Sequence, residues 1–184
     1  TVVSAEQLIR HILYRARVLI EQGVDLAGST PLKYFLHKQY RNDSREGMIS
    51  MFARLDDSDL AVAIKNWMYC DDKALALLCR NLIERKLFKI SLQQQPFEED
   101  GVNEQKEKAM QKLGLSEEEV RFFVFTNYIT NKAYSISDDK IQILFKDNQI
   151  ADVAEASDML SLPVLSKIVK KYFLCYPKDS CRNL

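Results

Sequence analysis

The chain has 184 residues, and its 26 lysines and arginines balance 26 aspartates and glutamates. With 47% hydrophobic residues it is large enough for one globular domain, or two small lobes, with a buried core. The charge balance argues against nucleic-acid binding, because nucleic-acid binders usually carry a basic excess or stripe. No apolar run approaches the roughly 20 residues of a membrane-spanning helix. We therefore expect no leader, no nucleic-acid partner, no membrane contact and a cytoplasmic location.

Helix-breaking residues are scarce, since the chain contains only 5 glycines and 4 prolines. These counts lie below the usual shares of roughly 7% and 5%, which favours a helix-rich body. Apolar residues at helical spacing predict a first helix over residues 4–22. Ser4 and Gln7 have the spacing of a capping box, and Gly23 is the predicted stop.

Four further helices are predicted in the first half, and local residues mark several of their starts. Thr30 is of a type favoured at a helix N-cap, and Pro31 follows it at the first helical position, where proline is favoured. Asp56 and Asp72 are suited to cap the helices that follow them, where their charge favours the positive helix end. The predicted ranges are 30–41, 48–55, 58–69 and 73–84.

After Arg85 the pattern changes to a mixture of strands and helices. A polar connector with Pro96 predicts a boundary between lobes, and Gly114 is predicted to end a helix over residues 104–113. Aromatic and β-branched stretches predict strands. Their ranges are 87–92, 121–128, 141–145, 150–153 and 169–176, with a hairpin at 141–153 and a short helix near 155–160. The expected class is α+β, mostly helical: a helical region at 1–92, then a small mixed lobe at 93–184 with a short antiparallel sheet.

Isolated residues of catalytic or metal-binding type do not form a recognisable site. His11 and His37 are not paired at helical spacing with another histidine, and we expect no metal or other cofactor in this segment. The acidic residues near Asp56 lack the glycine and glutamate of a calcium loop, so helix capping explains them better. The cysteine spacings match neither a zinc knuckle nor a disulfide framework, which favours reduced thiols. The cysteines are Cys70, Cys79, Cys175 and Cys181.

A cationic segment closes the predicted helix at residues 73–84 and continues into the next strand. Arg85 and Lys86 complement the negative end of a helix, and this structural role alone would justify them. A phosphate site is the other interpretation, because Arg85 and Lys89 are four residues apart and could bind a polyphosphate from two directions. Spacing alone favours the helix-end interpretation, and both stay open at this point.

The same segment resembles a known family of enzymes. Residues 52–57 (F-A-R-L-D-D) and 82–89 (L-I-E-R-K-L-F-K) resemble the region downstream of the catalytic domain in HD-family deoxynucleoside triphosphate triphosphohydrolases, particularly the bacterial ones. Residues 85–89 are the most specific piece, since they resemble the family's R-x-L-F-K. Residues 1–22 resemble the helix after the catalytic core, and residues 140–177 resemble the C-terminal α+β lobe.

The resemblance implies that the chain is the C-terminal regulatory and oligomerisation segment of a metal-dependent hydrolase. Such enzymes use an H…HD…D set to bind a divalent metal and convert a deoxynucleoside triphosphate to deoxynucleoside and triphosphate. The chain starts at Thr1 and contains no His-Asp dipeptide. We therefore expect the catalytic set and its divalent metal in a missing HD catalytic domain, and no nucleotide hydrolysis by this segment alone.

The resemblance also implies the regulatory residues. Arg85 and Lys89 match residues that hold an activating nucleotide between subunits, and Lys146 resembles a strand lysine of a neighbouring nucleotide site. A homo-oligomer and a nucleotide effector are therefore expected. The alternative is a non-catalytic protein-interaction module whose basic helix end is only a solvated cap. An independent enzyme that uses Asp56, Asp57 or His11 has little support.

Overall fold

The computed structural model describes residues 2–131, 142–152 and 169–178. Over these residues the fold is α+β and mostly helical, which confirms the predicted class. The helices are α1 (Val2–Glu21), α2 (Thr30–Leu36), α3 (Arg45–Phe52), α4 (Asp57–Trp67), α5 (Lys73–Ile83), α6 (Glu99–Leu113) and α7 (Glu117–Val120), with a 3₁₀ helix at Gln39–Arg41. The strands are β1 (Lys89–Gln93), β2 (Phe125–Asn131), β3 (Gln142–Leu144), β4 (Ile150–Asp152) and β5 (Val169–Tyr176).

Helix α1 is confirmed, but the capping box predicted at its start is wrong. The helix already includes Val2, so Ser4 lies within it. Ser4 is buried, and its Oγ donates a hydrogen bond of 3.0 Å to the carbonyl oxygen of Phe88. Ser4 therefore joins α1 to a segment 84 residues away. At the other end, Gly23 has a φ of 88°, the left-handed conformation common after a helix.

Aspartate caps fix the starts of α4 and α5, as predicted. Asp56 accepts hydrogen bonds from the backbone N–H groups at the start of α4, and Asp59 accepts one from the N–H of Asp56. Asp72 accepts the N–H of Leu75 at 2.7 Å at the start of α5. The prediction for α2 is wrong at both ends. Ser29 is its N-cap and Thr30 is already helical, and the helix ends at Leu36 instead of residue 41. A separate 3₁₀ helix follows at Gln39–Arg41.

The region around α6 and α7 differs most from the predicted boundaries. Helix α6 starts at Glu99, five residues before the predicted start, and ends as predicted at Gly114, whose φ is 60°. The strand predicted over 121–128 begins only at Phe125. Before it, helical-type hydrogen bonds continue from α7, and Phe122 and Phe123 are fully buried. Their apolar character therefore reflects a buried turn rather than a strand.

The described strands form two sheets. Strands β1, β5 and β2 form an antiparallel sheet in the order β1-β5-β2. Strands β3 and β4 form the predicted hairpin, with Gln142 opposite Asp152 and Leu144 opposite Ile150. The helix predicted near 155–160 lies outside the described residues.

The chain divides into two compact units. The first comprises Thr1–Ser91, Glu98–Phe125 and Leu174–Leu184, and the second comprises Leu92–Phe97 and Thr126–Phe173. The predicted division into residues 1–92 and 93–184 stays a prediction. Among the helices of the described ranges, none combines the length and apolar content needed to span a bilayer.

The core of the first unit forms mainly where α1 packs against α5. Leu8 and Ile12 of α1 and Leu75 and Leu78 of α5 are completely buried. Trp67 at the end of α4 is also buried, and its indole N–H donates a hydrogen bond of 2.7 Å to the carbonyl oxygen of Ala27. The buried residues of α5 hold this helix in the core of the first unit, and the helix leads into the cationic segment.

Candidate anion-binding site

A cavity of about 180 Å³ in the first unit is lined by four lysines. We call it the lysine cavity; its cationic residues are Lys89, Lys108, Lys112 and Lys178. The side chains of Gln105 and Tyr176 contribute polar groups, and Ala109 and Pro177 complete the wall. The cavity therefore gathers cationic side chains from three separate stretches of the chain.

Helix α6 contributes one wall because its lining residues share a face. Gln105, Lys108, Ala109 and Lys112 are three or four residues apart, the spacing that brings side chains together on a helix. Ala109 is 4% exposed, so this face is held against the rest of the unit. The position of the two lysines follows from this packing.

The ends of β1 and β5 contribute the opposite part of the lining. The hydroxyl groups of Tyr176 and Ser91 are 3.3 Å apart and form a hydrogen bond. The ammonium group of Lys89 lies 5.7 Å from the centroid of the Tyr176 ring, within the range of a cation–π contact. Lys112 Nζ donates a hydrogen bond of 3.1 Å to the carbonyl oxygen of Lys178. These contacts bring the chain after β5 to the same place as α6.

The charged residues that line the lysine cavity are all cationic in the described ranges. Within the part of the chain that the structure describes, no aspartate or glutamate lines the cavity. The nearest compensation that we identify is Glu104, one turn before Lys108, whose carboxylate is 2.6 Å from Lys108 Nζ. This hydrogen bond lowers the pKa of Glu104. Several like charges thus face one small volume, an arrangement that attracts a multivalent anion.

Arg85, a sequence-predicted site residue, lies in the turn that ends α5. The N–H of Lys86 donates to the carbonyl of Asn81 at 2.8 Å, and the N–H of Arg85 donates to that of Leu82 at 3.2 Å. This is the Schellman pattern, in which the residue after the cap usually is glycine. Arg85 instead occupies that position with a φ of 56°. Its exposed side chain is not among those that line the lysine cavity.

Lys146, the third sequence-predicted site residue, lies in the turn between β3 and β4 rather than within a strand. The side chain is exposed. Two backbone hydrogen bonds, one from the N–H of Phe145 and one from that of Asn148, close the turn around it. Lys146 belongs to the second unit, whereas Arg85 and Lys89 belong to the first.

Sequence reasoning found Lys89 but missed the other three lysines of the cavity. Lys108 and Lys112 carried a usable signal, since lysines four residues apart on a helix share a face. Lys178 carried none, because the return of β5 to α6 determines its position.

A second, open cavity of about 490 Å³ lies beside the start of α4 and includes Asp56 and Asp59. Both carboxylates bind backbone N–H groups at this helix start, so they act as caps. Hydrogen bonds from Ser29 and from the backbone of Asp56 lower the pKa of Asp59. In the described ranges, no three His, Cys, Asp or Glu side chains converge as a metal site would require.

The three thiols in the described ranges and the first histidine lie in environments that oppose ionisation, whereas Cys181 lies outside the described residues. Burial raises the pKa of Cys79, and it raises the pKa of Cys175 to about 12. Cys70 is free as well, and burial raises its pKa. His11 stacks on Phe125 with ring centroids 3.8 Å apart, and burial lowers its pKa to about 4. None of these groups has the features of an activated nucleophile or base.

Comparison with solved structures gives a likeness that covers nearly the whole chain. The chain is similar to the crystal structure of a phosphohydrolase from Bacteroides thetaiotaomicron VPI-5482, with 38% sequence identity and a TM-score of 0.77. The match covers 96% of this chain and 44% of that protein, so this chain spans less than half of its length. The sequence matches no protein-family model and no curated protein. Nearly all of this chain thus has a phosphohydrolase-like fold.

Proposed function

We propose that this chain is the C-terminal regulatory and oligomerisation segment of an HD-superfamily, metal-dependent hydrolase of deoxynucleoside triphosphates. The observation that carries the proposal is the 38% identity with a phosphohydrolase over 96% of this chain. That match leaves more than half of the phosphohydrolase without a counterpart in this sequence. The catalytic domain, its divalent metal and the hydrolytic step are assigned to that remaining part.

The sequence supports the assignment of catalysis to a part of the protein outside this chain. It contains two histidines and no His-Asp dipeptide, so it lacks the H…HD…D set on which the proposed chemistry depends. In the proposal, the catalytic domain would hold a divalent metal, which would supply an activated water for hydrolysis. The contribution of this chain is to bind a nucleotide effector and to join subunits into a homo-oligomer.

Arg85, Lys89 and Lys146 are the proposed phosphate contacts of the regulatory site. Arginine offers a planar fork of donors to phosphate, and lysine offers a compact charge. Arg85 and Lys89 have exposed side chains in the first unit, where an effector can reach them. The left-handed backbone at Arg85 supports a role for this side chain, since glycine would fit that position without strain.

The test uses the complete protein that contains this chain. With a divalent metal, we expect it to release deoxynucleoside and triphosphate from deoxynucleoside triphosphates. Without metal, the same nucleotides should raise the melting temperature, since a ligand that binds only the folded state stabilises it. The Arg85→Ala, Lys89→Ala double variant should lose most of this rise. An undiminished rise would contradict the site assignment, and an absence of hydrolysis would contradict the enzyme assignment.

The alternative function is a non-catalytic protein-interaction module. This alternative is favoured by large apolar side chains that are exposed on α3 and α4. Phe52 is 69% exposed and Val62 is 58% exposed. Exposed apolar residues of this size are common at protein contacts. In the proposed enzyme the same residues would contact the catalytic domain or another subunit, so the hydrolysis assay distinguishes the two functions.

A further inference from the structure

We infer that the lysine cavity is a binding site for a short phosphate chain, formed by Lys89, Lys108, Lys112 and Lys178. The recognised group is a linear chain of two or three phosphates, either free or as the tail of a nucleotide. The inference shares Lys89 with the regulatory site proposed above and otherwise goes beyond it. It does not require Arg85, Lys146 or any hydrolytic activity.

The size of the cavity limits what can occupy it. Pockets for organic ligands typically measure roughly 300 to 1,000 Å³. The lysine cavity, at about 180 Å³, is smaller than that range. A compact anion fits this volume, whereas a complete nucleotide would leave its base and sugar outside.

The charges of the cavity determine the sign and the valence of the ligand. Four lysines line it, and in the described ranges no aspartate or glutamate does. A tripolyphosphate presents several oxygens to several lysines at once, which a monovalent anion does not. Lysine ammonium groups bind phosphate as point charges, which suits a chain whose oxygens point in different directions.

The contacts within the cavity keep its walls in place. Lys112 Nζ is hydrogen-bonded to the carbonyl oxygen of Lys178, and the Tyr176 hydroxyl is hydrogen-bonded to Ser91. The Tyr176 ring supports the ammonium of Lys89. Because the backbone positions are held before a ligand arrives, less ordering is required on binding.

The ion pair between Glu104 and Lys108 provides a specific test of this site. Its carboxylate holds the ammonium of Lys108 at 2.6 Å and therefore competes with an anionic ligand. Removing the negative charge with Glu104→Gln should release Lys108 and strengthen phosphate binding by about threefold, in keeping with the small energy of an exposed ion pair. A lysine that served only to stabilise α6 would not produce this gain.

The experiment is calorimetric titration of the complete protein with inorganic tripolyphosphate, in a chelator and at low salt. We expect saturable binding that weakens as salt rises, since exposed charges are screened over about 10 Å at 0.1 M ionic strength. Lys108→Ala and Lys178→Ala should each weaken binding by about tenfold, and Glu104→Gln should strengthen it. The matched control is Lys106→Ala, because Lys106 is on the same helix but does not line the cavity.

The outcomes separate this inference from the proposed function. Absence of saturable binding, or equal losses in Lys106→Ala and Lys108→Ala, would overturn the inference even if the protein hydrolyses nucleotides. Binding with the expected variant pattern would support it even if no hydrolysis occurs. A parallel titration with dATP identifies the source of the phosphate chain: competition with tripolyphosphate supports a nucleotide tail, and binding of tripolyphosphate alone supports a free polyphosphate.

Discussion

Arg15 on α1 and Asp72 at the start of α5 form a two-point ion pair. Arg15 Nε is 3.1 Å from Asp72 Oδ1, and Arg15 Nη2 is 2.6 Å from Oδ2. Both side chains are largely buried, with exposed fractions of 10% and 14%. Since Asp72 also accepts the N–H of Leu75, one carboxylate both caps α5 and fixes α1 against it.

Breaking this pair should destabilise the first unit. Arg15→Ala leaves the carboxylate of Asp72 without its cation in a largely buried site, and we expect a loss of about 2 to 4 kcal/mol in the free energy of unfolding. Denaturant unfolding measures it. Arg10→Ala is the control, because Arg10 is an exposed arginine on the same helix. Equal losses in the two variants would show that the pair has no special contribution.

A second prediction concerns the pH dependence of stability. His11 stacks on Phe125, and burial, with a smaller contribution from Arg10, lowers its pKa from 6.5 to about 4. The unfolded chain therefore binds a proton between these pH values while the folded chain does not. The contribution of His11 to the free energy of unfolding is fully present above pH 6.5. It decreases as the pH falls toward 4, by up to about 3 kcal/mol.

The measurement is the free energy of unfolding at several pH values between 4 and 7. In His11→Gln this part of the pH dependence should disappear, because glutamine does not titrate. The matched control is His37→Gln, which removes the other histidine of the chain from an exposed position. If the pH dependence of the free energy of unfolding persisted in His11→Gln and disappeared in His37→Gln, it would come from His37, and the prediction for His11 would be wrong.

The glycine inside α6 and the glycine that ends it should respond in opposite directions to alanine. Gly114 has a φ of 60°, and a Cβ there would lie 2.8 Å from Lys73 Nζ, which donates to the Gly114 carbonyl. Gly114→Ala should therefore cost about 1 to 2 kcal/mol. Gly101 lies inside the helix with open space around it, so Gly101→Ala should stabilise by about 0.5 to 1 kcal/mol. The melting temperatures of the two variants test this prediction, and shifts in the same direction would contradict it.

Features that depend on nearby residues could be predicted from the sequence. Asp56 and Asp72 cap their helices through hydrogen bonds to N–H groups two or three residues away, so a local pattern suffices. Gly23 and Gly114 end helices for the same reason. The hairpin of β3 and β4 is also local, since Asp147 and its neighbours form the turn.

Features that depend on distant residues could not be predicted. Ser4 has the sequence pattern of a cap, yet its partner is Phe88, 84 residues away. Phe122 resembles the start of a strand, but tertiary packing buries it in a turn. The lysine cavity combines both cases: the spacing of Lys108 and Lys112 was visible, whereas only the fold brings Lys178 to them.

The last prediction separates the structural role of Arg85 from its proposed regulatory role. A residue other than glycine with a φ of 56° is strained by about 1 kcal/mol, because its Cβ approaches the backbone. Arg85→Gly should therefore raise the melting temperature of the protein without ligand. The same variant removes the guanidinium, so nucleotides should stabilise it less than they stabilise the original protein.

Arg85→Ala and Arg85→Lys complete this test by thermal unfolding with and without deoxynucleotides. Alanine keeps the strain and removes the charge, so it should reduce the nucleotide effect with no gain in intrinsic stability. Lysine keeps the charge but lacks the planar fork of donors, so it should restore the nucleotide effect only in part. If Arg85→Gly lowers the intrinsic melting temperature, side-chain contacts outweigh the strain. If all three variants respond fully to nucleotides, Arg85 is a helix end and nothing more.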